Sequence, residues 1–278
     1  HLDPSYGKGR DVGAVVIDTM FPQGESGRNP VVAVSGTNGK TTTVRLISHI
    51  LACTGLRVGM TNTDGVFVAG QQTDSGDCSG PKSARNVLLH PDVDAAVFET
   101  ARGGLLREGL GFDRCHVAVV TNLGKGDHLG LNYITSVEDL AVLKRVIVQN
   151  VAPGGSAVLN AADPIVAAMA DACPGSVIFF AQDRSLPVMA RHRVRGRRVV
   201  YVNGGSLVAA EGRRERRISL ADVPLTRAGT IPFQVDNAMA ALAAAWALDV
   251  AWKAIEAGLA PFNSDAQTIA AARQVLFY

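Results

Sequence analysis

Lys40, Thr41 and Thr42 stand directly behind Gly36-Thr37-Asn38-Gly39, and the whole run follows the apolar stretch Val31 to Val34 and Ser35. A strand that turns on glycines into a helix aims backbone N–H groups at one spot, where they and the helix dipole attract an anion. A lysine in the first helical turn adds a full positive charge for β- and γ-phosphates, and the hydroxyl behind it can ligate Mg²⁺. Gly36, Thr37, Asn38, Gly39, Lys40, Thr41 and Thr42 are therefore candidate nucleotide-binding residues. The common phosphate-loop pattern has a glycine six residues before the lysine, where this chain has Val34, so the match is incomplete at that end.

Three further residues could do chemistry. Glu99 closes the apolar run Val93 to Phe98 and precedes Thr100-Ala101-Arg102-Gly103-Gly104. Taken alone it would be a capping or surface glutamate; beside a phosphate loop, a strand-end carboxylate is placed to hold Mg²⁺. His128 lies in the glycine-rich run Asn122 to Gly130, as part of Asp127-His128. Isolated histidines are mostly structural, but one on a loop at the ligand edge points to function. Lys144 interrupts an apolar helical stretch, Leu140 to Leu143; taken alone it would be a surface lysine lying along its own helix.

These residues need a scaffold that brings strand ends together. Val44, Ile47, Ile50 and Leu51 recur at helical spacing, and Gly55 stands where a left-handed cap ends a helix. Arg57 to Met60, Val93 to Phe98, His116 to Val120, Ser156 to Leu159 and Ser176 to Phe180 read as strands. Between them, Thr135 and Glu138 form a capping-box pair for a helix to about Asn150, and Asp163-Pro164 opens another. Alanine-rich helices cover Asn237 to Asp249 and Val250 to Gly258. This alternation predicts an α/β fold, a parallel sheet with helices on both faces and the ligand at the carboxyl ends of the strands, where Ser35, Glu99 and Asn122 fall.

At 278 residues with a net charge of +2, the chain can form one large domain or two smaller ones. No apolar run approaches the roughly 20 residues of a membrane span, and no secretory signal opens the chain. Cys53, Cys78, Cys115 and Cys173 have neither zinc-site nor disulfide-framework spacing, which fits reduced thiols in a cytoplasmic protein. His1 rather than methionine at the start suggests a piece of a longer polypeptide. The charge is uneven: residues 191–217 hold nine arginines against Glu211 and Glu215. Arg193 to Arg195 and Val199 to Val202 read as strands, with a turn at Asn203-Gly204-Gly205, inside a basic β-rich segment, 185–230. A solvated face is the ordinary reading of such a run, and a surface for an acidic polymer is the sharper one. No aromatics interleave there to stack nucleic-acid bases.

Gly36 to Thr42, the strand-end Glu99, Asp127-His128, Lys144 on its helix and Asn160-Ala161-Ala162-Asp163-Pro164, in that order, resemble the central ATPase domain of the Mur ligase superfamily. Thr63-Asp64-Gly65, Ser79 to Ala84, Glu99 to Gly104 and Asp127 to Gly130 are similar, more narrowly, to the Mur-like module of cyanophycin synthetases. The resemblance covers about residues 8–267. It implies an ATP-dependent carboxylate–amine ligase working through an acyl phosphate, with ATP and Mg²⁺, and arginine addition to polyaspartate as its reaction. It also implies that Lys40 and Thr41 hold triphosphate and metal, that Glu99 and His128 are further metal ligands, that Lys144 matches a lysine carbamylated in many Mur ligases, and that Asn237 contacts adenine. The catalytic set so implied is Lys40, Glu99, His128 and Lys144. Residues 1–29 are then a connector from an upstream ATP-grasp module, 30–265 the ATP-binding domain, and 266–278 the start of a linker to a C-terminal domain. The expected partners are ATP, arginine, an acidic polymer and those flanking domains, without membrane or nucleic acid, and compatible with a homo-oligomer. Other readings are a different Mur-type amino-acid ligase and a nucleotide-binding module without catalysis of its own.

Overall fold

The computed structural model describes residues 12–21, 27–124, 136–260 and 262. In chain order it contains α1 (Val12–Met20), β1 (Val31–Ser35), α2 (Lys40–Ala52), β2 (Val58–Asn62), β3 (Gly65–Val68), β4 (Gln71–Ser75), α3 (Pro81–Leu88), β5 (Ala95–Glu99), α4 (Arg102–Glu108) and β6 (Cys115–Val120). Then follow α5 (Val137–Gln149), β7 (Val151–Asn160), α6 (Pro164–Ala168), β8 (Ser176–Ala181), α7 (Pro187–Val194), β9 (Arg198–Asn203), β10 (Ser206–Glu211), β11 (Arg214–Ser219), α8 (Pro232–Ala247) and α9 (Trp252–Leu259).

The strands form one sheet of 11, in the order β11-β10-β9-β8-β7-β6-β1-β5-β2-β3-β4. The seven from β9 to β2 are mutually parallel, and each margin adds an antiparallel pair, β10–β11 and β3–β4. The antiparallel segment expected around residues 185–230 thus extends the main sheet.

The period of two along each strand sorts side chains onto two cores. Val32, Val34, Val97, Val117 and Val119 face α2, α8 and α9. Val31, Ala33, Phe98, Ala118 and Val120 face the opposite layer, which includes α3 and α5. The chain leaves β1 through α2 on one face and leaves β6 through α5 on the other. That reversal opens a crevice at the strand ends, the general ligand site of doubly wound sheets. The alanines of α8 are buried around most of its circumference, which lets it lie close against α2.

Two local expectations need correction. Arg193 and Val194 end helix α7, and Arg195 caps it, so they form no strand. Pro187 opens that helix and His192 buries against Phe179, and this packing outweighs the alternating pattern. The capping box of α5 is one residue later than expected: Ser136 Oγ accepts from Asp139 N–H at 3.0 Å, and Asp139 Oδ2 accepts from Ser136 N–H at 3.1 Å. That register turns Leu140, Lys144, Ile147 and Val148 inward; Thr135 lies outside the described residues.

Candidate functional site

The loop between β1 and α2 is built for close approach. Gly39 caps α2 with φ 84°, a left-handed conformation, and a β-carbon there would collide with Asn237 Oδ1. Gly36, at φ 145°, packs so tightly on Thr121 that a β-carbon would overlap its hydroxyl. The N–H groups of the first turn of α2, at Lys40 to Thr42, have no intrahelical acceptors and face the crevice end of the helix.

Other loop donors are spent on bracing. Thr37 N–H donates to the Asn122 carbonyl at 2.9 Å, and Asn38 N–H to Asn122 Oδ1 at 3.0 Å. Thr121 Oγ1 donates to the Asn38 carbonyl at 2.7 Å, and Gly124 N–H to Thr37 Oγ1 at 3.0 Å. The end of β6 thus splints the loop, leaving the α2 turn to meet an anion.

The expected metal side also converges. Parallel pairing of β1 with β5 sets Val34 beside Glu99, and Thr100 locks that register by donating N–H and Oγ1 to the Val34 carbonyl. Glu99 is 2% exposed, and its Oε2 accepts from Thr41 Oγ1 at 2.8 Å. Lys40 Nζ lies 4.0 Å from Glu99 Oε1 and donates to the Thr37 carbonyl at 3.0 Å. Burial raises the Glu99 pKa above the ordinary carboxylate value, against the opposing pull of the Thr41 hydroxyl and the Lys40 charge. Thr63 joins this group, its Oγ1 3.2 Å from that of Thr41. The sequence reading gave Thr63 no role; its position before Asp64-Gly65 was the available signal. Among the described residues no cluster of three or more His, Cys, Asp or Glu could hold a metal. One carboxylate and one hydroxyl suit Mg²⁺, which keeps waters and shares phosphate oxygens. The first turn of α2, with no room for a side chain at Gly39, likewise suits a phosphate.

Lys144 does not lie along the surface. It is 2% exposed, and its Nζ donates to the Gly36 carbonyl at 2.6 Å, because α5 crosses under the loop with this face inward. Asn237, 4% exposed, packs against Gly39 and donates its amide to Gln234 Oε1 at 3.0 Å. His128 and Asp127 lie outside the described residues.

The basic segment is a different environment. Glu215 accepts from the Tyr201 hydroxyl, Arg193 and Arg217, each within 2.8 Å, and these donors, the hydroxyl foremost, hold its pKa at about 2. Arg198 lies over the Trp246 ring and Arg216 over Trp252. A cavity of about 470 Å³ opens between these side chains and Arg214. Besides Tyr201, whose ring lies under Arg193, the aromatics beside these arginines are thus supplied by α8 and α9.

The family model described as the Mur ligase middle domain matches residues 34–245. A cyanophycin synthetase of a Nostoc species is 43% identical over 265 residues, which are 95% of this chain and 29% of that protein. The cyanophycin synthetase of a Synechocystis species is 43% identical over 268 residues, 96% of this chain and 31% of its own length. The chain therefore spans about 30% of the length of these curated relatives. The structure of UDP-N-acetylmuramoyl-L-alanyl-D-glutamate–2,6-diaminopimelate ligase superposes with a TM-score of 0.64 at 20% identity, covering 85% of this chain and 47% of that one. A bifunctional folylpolyglutamate synthase/dihydrofolate synthase gives 0.58 at 20% identity, covering 86% of this chain and 59% of its own. At such identity the superpositions establish the shared fold.

Proposed function

The chain belongs to the Mur ligase family, whose middle domain it carries, and from that premise we propose that it is the ATP-binding, acyl-phosphate-forming module of a carboxylate–amine ligase. The observation that carries the reading is the convergence of Lys40, Thr41 and the buried Glu99 at the crevice end of β1 and β5. Within that class, the 43% identity to cyanophycin synthetases favours arginine as the amine and a polyaspartate side chain as the carboxylate.

In this reading residues 30–265 are the ATP-binding domain, 1–29 a connector, and 266–278 the start of a linker. The first-turn N–H groups of α2 and Lys40 receive the triphosphate. Lys40, now on the Thr37 carbonyl, swings a short way to meet charge on the transferring phosphoryl group. Thr41 and Glu99, with His128, would hold Mg²⁺, which when bound neutralises phosphate charge. Lys144 fixes the Gly36 carbonyl from below, and a carbamylated Lys144 would add an anion there. Asn237 is assigned to adenine. The arginine-rich margin has the charge to attract an acidic polymer.

The test is amine-dependent ADP release and label incorporation with Mg-ATP and polyaspartate, using the polypeptide that carries this chain. Arginine-dependent turnover abolished by Lys40→Ala supports the reading. Turnover with another amino acid moves it to another Mur-type ligase, and ATP binding without turnover under any amine refutes the catalytic part.

A further inference from the structure

We infer that Asn160 and Asp163 are positioning residues for the phosphate loop, acting through Asn122. The inference rests on the nucleotide-site reading and gives a role in that site to two residues to which the sequence assigned none.

Asn122 is the splint of the loop, holding Thr37 N–H with its carbonyl and Asn38 N–H with its side chain. The residues on either side of it are pinned from the next strand. Asn160, at the end of β7, donates Nδ2 to the Thr121 carbonyl at 2.8 Å. Asp163, just before α6, accepts from Leu123 N–H through Oδ2 at 2.7 Å. Neither contact is incidental to local folding, because each residue also performs a separate local task with its other polar atom. Asn160 Oδ1 accepts from Ala162 N–H at 2.9 Å and closes its own turn. Asp163 Oδ1 accepts from Ile165 N–H at 3.0 Å and Val166 N–H at 3.2 Å and caps α6.

The residue types separate the two tasks. Closing that turn needs only a short side-chain acceptor, so aspartate would serve at 160. Capping α6 needs only one oxygen, so asparagine or serine would serve at 163. Gripping the Thr121 carbonyl requires the amide donor of asparagine, and gripping Leu123 N–H while capping requires both carboxylate oxygens. The identities of both residues are thus explained by the cross-loop contacts. Asn160 is 8% exposed, so water competes poorly for its bond.

The test uses the near-isosteric pair Asn160→Asp and Asp163→Asn in the intact chain, with Asp163→Ser as a further cap-preserving variant. Each keeps the local task and removes the cross-loop bond. Hydrogen exchange at Thr37 and Asn38 N–H reads the splint without nucleotide, and Mg-ATP titration reads the site. We expect exchange at those two amides to accelerate at least about tenfold, with α8 amides unchanged. We expect Mg-ATP affinity to fall roughly tenfold in all three variants. Unchanged exchange, or accelerated exchange with affinity within about twofold of the parent, overturns the inference. Uniform acceleration across α8 shows global destabilisation and also overturns it. If the parent chain itself binds no Mg-ATP, the nucleotide reading fails first, and the exchange measurement still decides whether the splint exists.

Discussion

The crevice at β1, β5 and β6 and the arginine-rich margin at β9–β11 lie on one sheet, yet they use polar residues in opposite ways. The crevice holds few charges, and Glu99, Thr100, Thr121, Lys144 and Asn237 are all buried there. The margin, with helix α7 that leads into it, holds nine arginines within 27 residues, and most stand in solvent. Six strand spacings separate β11 from β1, roughly 29 Å. Buried polar groups lose water and depend on their partners, whereas exposed pairs exchange one partner for water at little cost. Residue count therefore misleads about importance: the crevice depends on single bonds, the margin on the sum of many.

One substitution made in both regions sharpens the contrast most. Gly36→Ala places a side chain on Thr121 at a left-handed φ and should cost about 2–5 kcal/mol of stability. Gly204→Ala, at φ 58° with open space around it, should cost about 1–2 kcal/mol. Urea unfolding measures both, and equal losses would erase the distinction.

Thr41→Val probes a smaller effect within the crevice. It removes the hydroxyl from Glu99 Oε2 and leaves a buried carboxyl short of a donor, at about 1–3 kcal/mol. Weaker Mg-ATP binding should accompany the loss. Stability equal to the parent would mean that Glu99 does not rely on Thr41.

At the margin the expected effects shrink. The Glu215 pKa is depressed from 4.5 to about 2, so between those values the native state binds fewer protons than the unfolded chain. Its stabilisation is complete above about pH 4.5 and disappears as the pH falls toward 2. Glu215→Gln should flatten that part of the stability curve; an unchanged slope would show that Glu215 contributes nothing. Arg214→Gln, at a side chain with no ion pair among the described residues, should change stability by less than about 0.5 kcal/mol. A loss near that of Thr41→Val would contradict the picture of a solvated face.

Legibility in the sequence followed distance along the chain. Val31 to Thr42 carries a strand, a turn and a helix start in 12 consecutive residues, so local geometry alone exposed the loop. Glu99 was legible because a single carboxylate ends an apolar run. The burial of Lys144 was not legible because nothing local tells which face of α5 turns inward, and Arg193 to Arg195 were misread because alternation mimics a strand. The splint at Asn122, its supports at Asn160 and Asp163, and the indoles of Trp246 and Trp252 under arginines depend on partners 39 to 85 residues away or on different elements. Spacing patterns carry no such information.

The central claim, that the β1–α2 loop with Lys40 binds Mg-ATP, is tested most directly by titration calorimetry on the parent chain and on Lys40→Ala at equal Mg²⁺. A charge-assisted contact of this kind contributes about 1.5–3 kcal/mol, so the parent should bind saturably at one site and the variant at least about tenfold more weakly, with its circular dichroism unchanged. Equal affinity in the two proteins, or no binding by the parent, would contradict the account.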